Sequence, residues 1–488
     1  MKNQKKIYTF EPFKIPCLML PNKNEMPKKR EGLFQLKTIK YLSLIFCNIL
    51  FYLSVNAQQD LGLHFLPNTL QASRTNPALL PADRLIVGLP NVYFNIRHTS
   101  GSLNDILEFD DNDGPTKVKI NSWIDQLNSE NLFQGNSEIE TLHLFYRLGK
   151  LSFSLNHVSK FDARFNYPDT YIKLIGNGNA QFAGETVEFG PDLQINAYQE
   201  FGLGIAYDIS DKITVAGKVK VLQGLGNVST LNSQASIFTD DDIYQITVKS
   251  QYDVNGTNFI SLDENRSFDL DFSSYETEDL FTDNSGLGFD FGIVVKPIEQ
   301  LTIAASIIDI GQIDWKENAT NYKTNIDKTY EGVVIDFPAL LKGEEADFSN
   351  IDTINFENLF NFQNEATSYS TKLPRKIYLS ATYQLKKLTI GALYHSESFR
   401  SKRQNAFAVN ATAKISKLLT LGATYTNRFD RDHQVGVNTT LKLGPVQLFA
   451  TTDNIISLFQ PLDAEQADAR IGLNIVLGQL FNKNTSEE

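Results

Sequence analysis

The stretch GLGFDFGIVVK, Gly286 to Lys296, alternates with a period of two. Leu287, Phe289, Phe291, Ile293 and Val295 fall on one side, and Gly288, Asp290, Gly292 and Lys296 on the other. Successive side chains of a strand point to opposite faces, so this reads as a β-strand with one apolar, aromatic face and one small or charged face. KITVAGKVKV (212–221) repeats the pattern, with Ile213, Val215, Val219 and Val221 opposite Thr214, Lys218 and Lys220. HQVGVNTTLKL (433–443) does so again, with Val435, Val437, Leu441 and Leu443 opposite Gln434, Asn438 and Lys442. A soluble sandwich also alternates, so a single strand of this kind decides nothing. A dozen or more of them, each about ten residues long, suit a barrel that crosses a bilayer.

The connections carry a second regularity. Very short turns fall at Gly149-Lys150, Ser210-Asp211, Pro297-Ile298-Glu299, Lys386-Lys387, Ser416-Lys417 and Gly444-Pro445. Between them lie long polar excursions at 99–139, 164–191, 255–284, 311–374 and 454–469. Short turns at one rim and long loops at the other are the habit of outer-membrane barrels. The strands are expected at 84–98, 140–148, 151–163, 192–209, 212–223, 227–238, 243–254 and 286–296 in the first part of the chain. They continue at 300–310, 375–385, 388–399, 404–415, 418–428, 433–443, 446–453 and 470–481, sixteen in all. If 227–254 instead forms a hairpin within a loop, fourteen remain. The expected fold class is therefore all-β, a transmembrane antiparallel barrel of 14–16 strands over 84–481 with long extracellular loops and a polar tail at 482–488. Closure follows from the backbone, because an open sheet edge in lipid leaves N–H and C=O groups unpaired.

The N-terminal region reads as an address. Its apolar run, Tyr41 to Val55, is fifteen residues long and includes Asn48, short for a spanning helix. Lys37 and Lys40 precede it and VNA ends it, the layout of a signal peptide cut after Ala57. The lead before it is long, so Met26 is the expected start and 1–57 is signal plus extension. Segment 1–57 holds ten of the 45 Lys and Arg and three of the 57 Asp and Glu, leaving a mature chain of net charge −19. Both cysteines lie in the removed part, so disulfides and Cys-based metal sites are excluded. An acidic chain of this kind is a poor partner for nucleic acid.

Just before the first strand stands LPNTLQASRTNPALLPADRLIVGLP (66–90). A polar segment ending in Asn76-Pro77-Ala78 ahead of strand one resembles the FadL-like outer-membrane barrels and their PorV- and PorQ-like relatives in Bacteroidota. The glycine that follows in that motif is replaced here by Leu79. LIGNGNAQFAG (174–184), YQEFGLGIAYDISDKITVAGKVKVLQG (198–224), DIGQIDW (309–315) and GPVQLFATTDNI (444–455) resemble a narrower Bacteroidota family of barrels of uncharacterised function. The resemblance implies the outer membrane of a Gram-negative bacterium, contact with its lipid, and the barrel-assembly machinery as a partner during biogenesis. It further implies that 58–83 is a plug or hatch, comprising Asn76, Pro77 and Ala78, with Phe65 and Leu66 against the inner wall. Two functions follow from it. One is passage of a small hydrophobic ligand; the other is a non-transporting scaffold for a type IX secretion or gliding apparatus.

No chemistry of an enzyme is legible. The six histidines have no ligand spacing, no nucleophile motif is present, and no cofactor is expected. EFDDNDG (108–114) lacks the first and last ligands of an EF-hand and reads as a solvated acidic loop. SWIDQLNSENLF (122–133) reads as a short loop helix. Lys218, Lys220, Asp290, Lys442 and Arg470 are expected to face a wet lumen, where Asp290→Asn would be tolerated.

Overall fold

The computed structural model describes residues 61–66, 68–108, 116–243, 245–262, 268–270, 281–330, 362–400, 402–428 and 433–477. The readings of 1–57, of most of the acidic loop 108–114, of the end of the strand expected at 470–481 and of the tail 482–488 lie outside the described residues.

Strand one comes in two pieces, β1 (Leu85–Gly88) and β2 (Asn91–His98), broken at Pro90, which has no N–H to give the ladder. It is followed by β3 (Glu130–Leu148), β4 (Leu151–Pro168), β5 (Asp192–Ser210), β6 (Ile213–Thr239) and β7 (Ile246–Thr257). Next are β8 (Ser285–Ile298), β9 (Leu301–Trp315), β10 (Thr320–Tyr330), β11 (Arg375–Leu385) and β12 (Leu388–Phe399). The chain continues through β13 (Lys402–Lys414), β14 (Leu419–Arg428), β15 (His433–Leu443), β16 (Val446–Thr452) and β17 (Gln466–Val476). Neighbours pair antiparallel, β6 skips to β8 and β9 to β11, and β17 pairs back onto β1 and β2. The ring is closed with fourteen strands, β1 and β2 counting as one and β7 and β10 standing outside it.

Of the two counts expected, the ring adopts fourteen, with 227–254 outside the wall, and the reason is visible in β6. Its first half pairs with β8 through Gln223, and its second half runs on from Asn227 to pair with β7. The stretches 227–238 and 243–254 are thus not wall strands, and 320–330, read as loop, adds β10 to their outer side. This sheet stands above the rim with its own apolar core, which includes Val228, Ile237, Val248, Val254, Phe259 and Tyr322.

The wall is inverted relative to a soluble protein. Leu203 is 62% exposed and Phe291 54% on the outside, whereas Lys220 is 3% and Asp290 2% exposed on the inside. Tyr146, Phe153, Tyr207 and Tyr383 ring the outer surface near the short turns, and Tyr394, Phe407 and Tyr425 stand nearer the other end. Rows of aromatics flanking an apolar band are the marks of a bilayer-facing barrel.

Residues 61–66 and 68–81 run inside this wall. Two single turns, Gly62–Phe65 and Leu70–Arg74, present Leu61, Leu63, Leu66 and Leu70, all 2% exposed or less. Burial of each contributes about 1.5–3 kcal/mol.

Candidate functional site

The inner segment is seated on the wall by hydrogen bonds as well as by packing. At its start the Asp453 carboxylate accepts the N–H groups of Leu61 (2.7 Å) and Gly62 (2.8 Å). Phe65 packs with Leu61, Ile308, Tyr378, Leu393, Ala406 and Ala408, and Leu66 packs with Leu63 and Phe449. The His64 ring meets Thr75 Oγ1 and Ser380 Oγ, each at 2.8 Å, and burial lowers its pKa to about 4, so it is neutral at pH 7. The Gln71 and Asn474 amides bond to each other in both directions at 2.9 Å.

Asn76-Pro77-Ala78 now has a physical role. Asn76 Oδ1 accepts from Ala78 N (2.9 Å), which closes a tight turn, while its Nδ2 donates to the Ala305 carbonyl on β9 (3.1 Å). Ser306 Oγ donates to the Thr75 carbonyl at 2.6 Å. Pro77 lies against Gly292 of β8, where a Cβ would collide with Asn76 Oδ1 and stand 2.9 Å from Pro77 Cδ. Gly292→Val is therefore expected to unseat this turn while leaving the wall assembled. Faster protease cleavage within the inner segment of the folded protein, with normal heat-modifiable gel migration, would report it; cleavage at the parental rate would refute the seat.

Between this segment and the long-loop end, the interior is crossed by ion pairs. Lys220 Nζ meets Asp309 (2.5 Å), Asp290 (2.8 Å) and Glu200 (3.6 Å). Lys160 meets Glu200 (2.7 Å) and Asp309 (3.8 Å), and Lys376 also reaches Asp309 (3.8 Å). Arg74 of the inner segment contacts Glu138 (2.8 Å) and Glu140 (3.4 Å); Arg470 shares Glu138 (2.6 Å), and His143 meets Glu140 (2.6 Å). Burial opposes the charge on Arg74, but the surrounding carboxylates, Glu138 first, outweigh it and hold the guanidinium protonated.

Asp309 is the hub, and a backbone irregularity puts it there. The β8–β9 register shifts across Phe289/Phe291, so Ile308 and Asp309 both point inward, and Asp309 takes φ 60°. Its N–H donates to Asp290 Oδ1 at 2.9 Å. Bulges and left-handed non-glycine residues concentrate where a side chain must be re-aimed.

Of the residues singled out in the sequence, Phe65, Leu66, Asn76, Pro77 and Ala78 all lie on the inner segment's contacts with the wall or with the cavity beside it. Lys218, Lys220, Asp290 and Arg470 converge on the charged layer, whereas Lys442 stands apart, half-buried and 3.7 Å from Asp83. Lys218, Lys220, Asp290 and Arg470 are 4% exposed or less, because the strands bring opposite charges together at mid-barrel. Arg74, Glu138, Glu140, Lys160, Glu200, Asp309 and Lys376 were not singled out. Glu138 and Glu140 fall in and beside a stretch read as loop, and Asp309 lies in DIGQIDW, where its charge on the nominally lipid-facing side of a strand was the available signal.

The model of the Family of unknown function (DUF5723) matches residues 77–453, well over half of the chain. No curated protein matches it. Among solved structures it resembles the Ralstonia pickettii toluene transporter TbuX at 11% identity and TM-score 0.39, covering 84% of this chain and 94% of that one. It also resembles a Pseudomonas aeruginosa FadL homologue at 11% identity and TM-score 0.38, with coverage of 84% and 94%. A third is the P. putida toluene transporter TodX, at 10% identity and TM-score 0.37, with coverage of 83% and 92%.

Proposed function

This chain belongs to the DUF5723 family of unknown function, and on that premise we propose that it is an outer-membrane barrel of a Gram-negative bacterium, closed by its own inner segment and opened to small molecules when that segment moves. The observation that carries the reading is the seat of residues 61–66 and 68–81, bonded to strands around the ring instead of forming wall. The inverted wall supports the membrane, since an apolar band of Leu, Phe and Ile around a barrel suits contact with lipid.

The interior also bears on the cargo. Toward the short turns lies a cavity of about 520 Å³, lined by Phe65, Leu66, Leu79 and Val294 as well as Lys150 and Asp208. That is the size of a small-molecule site. Above it a purely apolar solute would have to part buried ion pairs, whose separation is costly. The interior therefore suits small molecules that join an apolar body to a polar group, a narrower class than the hydrophobic cargo expected from the sequence.

Deleting residues 61–73 keeps Arg74 and its carboxylates while removing the seat. It is expected to raise uptake of a small amphipathic dye several-fold, with the barrel still showing heat-modifiable migration. An assembled deletion with unchanged uptake would refute gating. It would favour the scaffold reading, for which the sheet of β7, β10 and the end of β6 offers a structured surface above the rim.

A further inference from the structure

The charged layer contains one cation without a counterpart. Lys218 is 4% exposed, yet among the described residues no acceptor lies within hydrogen-bond or ion-pair reach of its Nζ. The other cations lining the layer each meet a carboxylate: Arg74, Lys160, Lys220, Lys376 and Arg470. The Lys218 stem is laid inward over Gly202 and Gly204, where a Cβ on Gly202 would stand 3.2 Å from Lys218 Cδ. The two glycines of FGLG thus make room for it, and its end borders a cavity of about 60 Å³.

The walls of that cavity carry Arg74, Lys160, Lys218, Lys220, Lys376 and Arg470 against the carboxylates of Glu138, Glu200, Asp290 and Asp309. Cations exceed carboxylates by two, and Glu140 behind Arg74 brings the excess to one. The Lys218 ammonium opens onto this cavity with no carboxylate of the described residues in reach; a charge so enclosed and unpaired is costly, and a bound anion offsets that cost. We propose that this cavity is a binding site for a small monovalent anion of the chloride class, held by Lys218 and the neighbouring excess of positive charge. Because Arg74 and Thr75 of the inner segment form part of the wall, the anion lies against the seat of that segment. The inference does not depend on what crosses the barrel.

The test uses the full chain in detergent, with bromide and chloride as probes. Crystals soaked in sodium bromide and measured at the bromine edge are expected to show an anomalous peak in contact with Lys218 Nζ. In solution, the thermal midpoint is expected to rise by a few degrees, saturably, in sodium chloride relative to sodium gluconate at matched ionic strength, because gluconate is too large for the cavity. Lys218→Met is expected to lose both the peak and the rise. Should that variant fail to fold, the bromide peak in the unaltered protein decides. Equal midpoints in the two salts with no peak would overturn the proposal, as would a peak away from Lys218 with a chloride effect that survives in Lys218→Met.

Discussion

Asp309→Asn is expected to destabilise the folded barrel by about 3–5 kcal/mol, the loss that follows when one member of a buried ion pair is removed. The effect lies at the top of that class because Asp309 faces Lys220, Lys160 and Lys376 together, at 2.5, 3.8 and 3.8 Å. Asparagine tolerates the left-handed backbone, so this variant isolates the charge. Asp309→Ala adds a conformational cost of about 1–2 kcal/mol at φ 60°. The measurement is the denaturant concentration at which unboiled protein loses its folded gel mobility. Lys220→Met should cost less in this background than in the parent, since the two sites share one interaction. A parental midpoint for Asp309→Asn, with no coupling in the double variant, would mean that the layer is hydrated and energetically idle.

Ile293→Arg, on the outer face of β8, is the second large effect expected. Ile293 is 38% exposed on the apolar exterior, and an arginine near the middle of a bilayer costs about 2–4 kcal/mol. The variant should accumulate as unassembled chain, visible as loss of the heat-modifiable band. Lys442→Gln, half-exposed beside Asp83, is the matched control and should stay within about 0.5 kcal/mol of the parent. Asp290→Asn no longer serves as the silent inner variant: Asp290 pairs with Lys220 and accepts the Asp309 N–H. It is now expected to lose about 1.5–3 kcal/mol, the scale of a hydrogen bond to a charged group. Equal assembly of Ile293→Arg and Lys442→Gln would place Ile293 away from lipid.

The strands at 375–385, 388–399 and 433–443 were legible to the residue, because alternation and a short turn coincide there. Alternation fades wherever a strand rises above the apolar band. The start of β3, ENLFQGNSEI, and all of β10, TNYKTNIDKTY, have no sustained apolar face, so both were read as loop. β6 was split in two by Gly224-Leu225-Gly226, whose glycines interrupt the pattern to admit aromatic rings. A Cβ at Gly224 would stand 2.5 Å from Trp315 Cζ3, and at Gly226 2.5 Å from Phe259 Cζ. The charged layer was half legible. Period two says that Lys218 and Lys220 face inward, but the Asp290 and Asp309 that meet Lys220 lie on strands far along the chain, and no local pattern encodes that pairing. Asp309 was hidden for a different reason: the one-residue register shift inverts the parity by which its face would be judged.

The seam between β17 and the β1–β2 pair also has a consequence for biogenesis. The inner segment immediately precedes β1, yet it rests on β8, β9, β11 and β16, which are synthesised long after it. A chain tethered to the first stave and held by many of the later ones can take its seat only once those staves are in place. Its capture therefore comes late, dominated by contacts between distant parts of the chain and correspondingly slow. Variants that weaken the seat should then appear first as delayed maturation of newly made protein, ahead of any change in what the finished barrel admits.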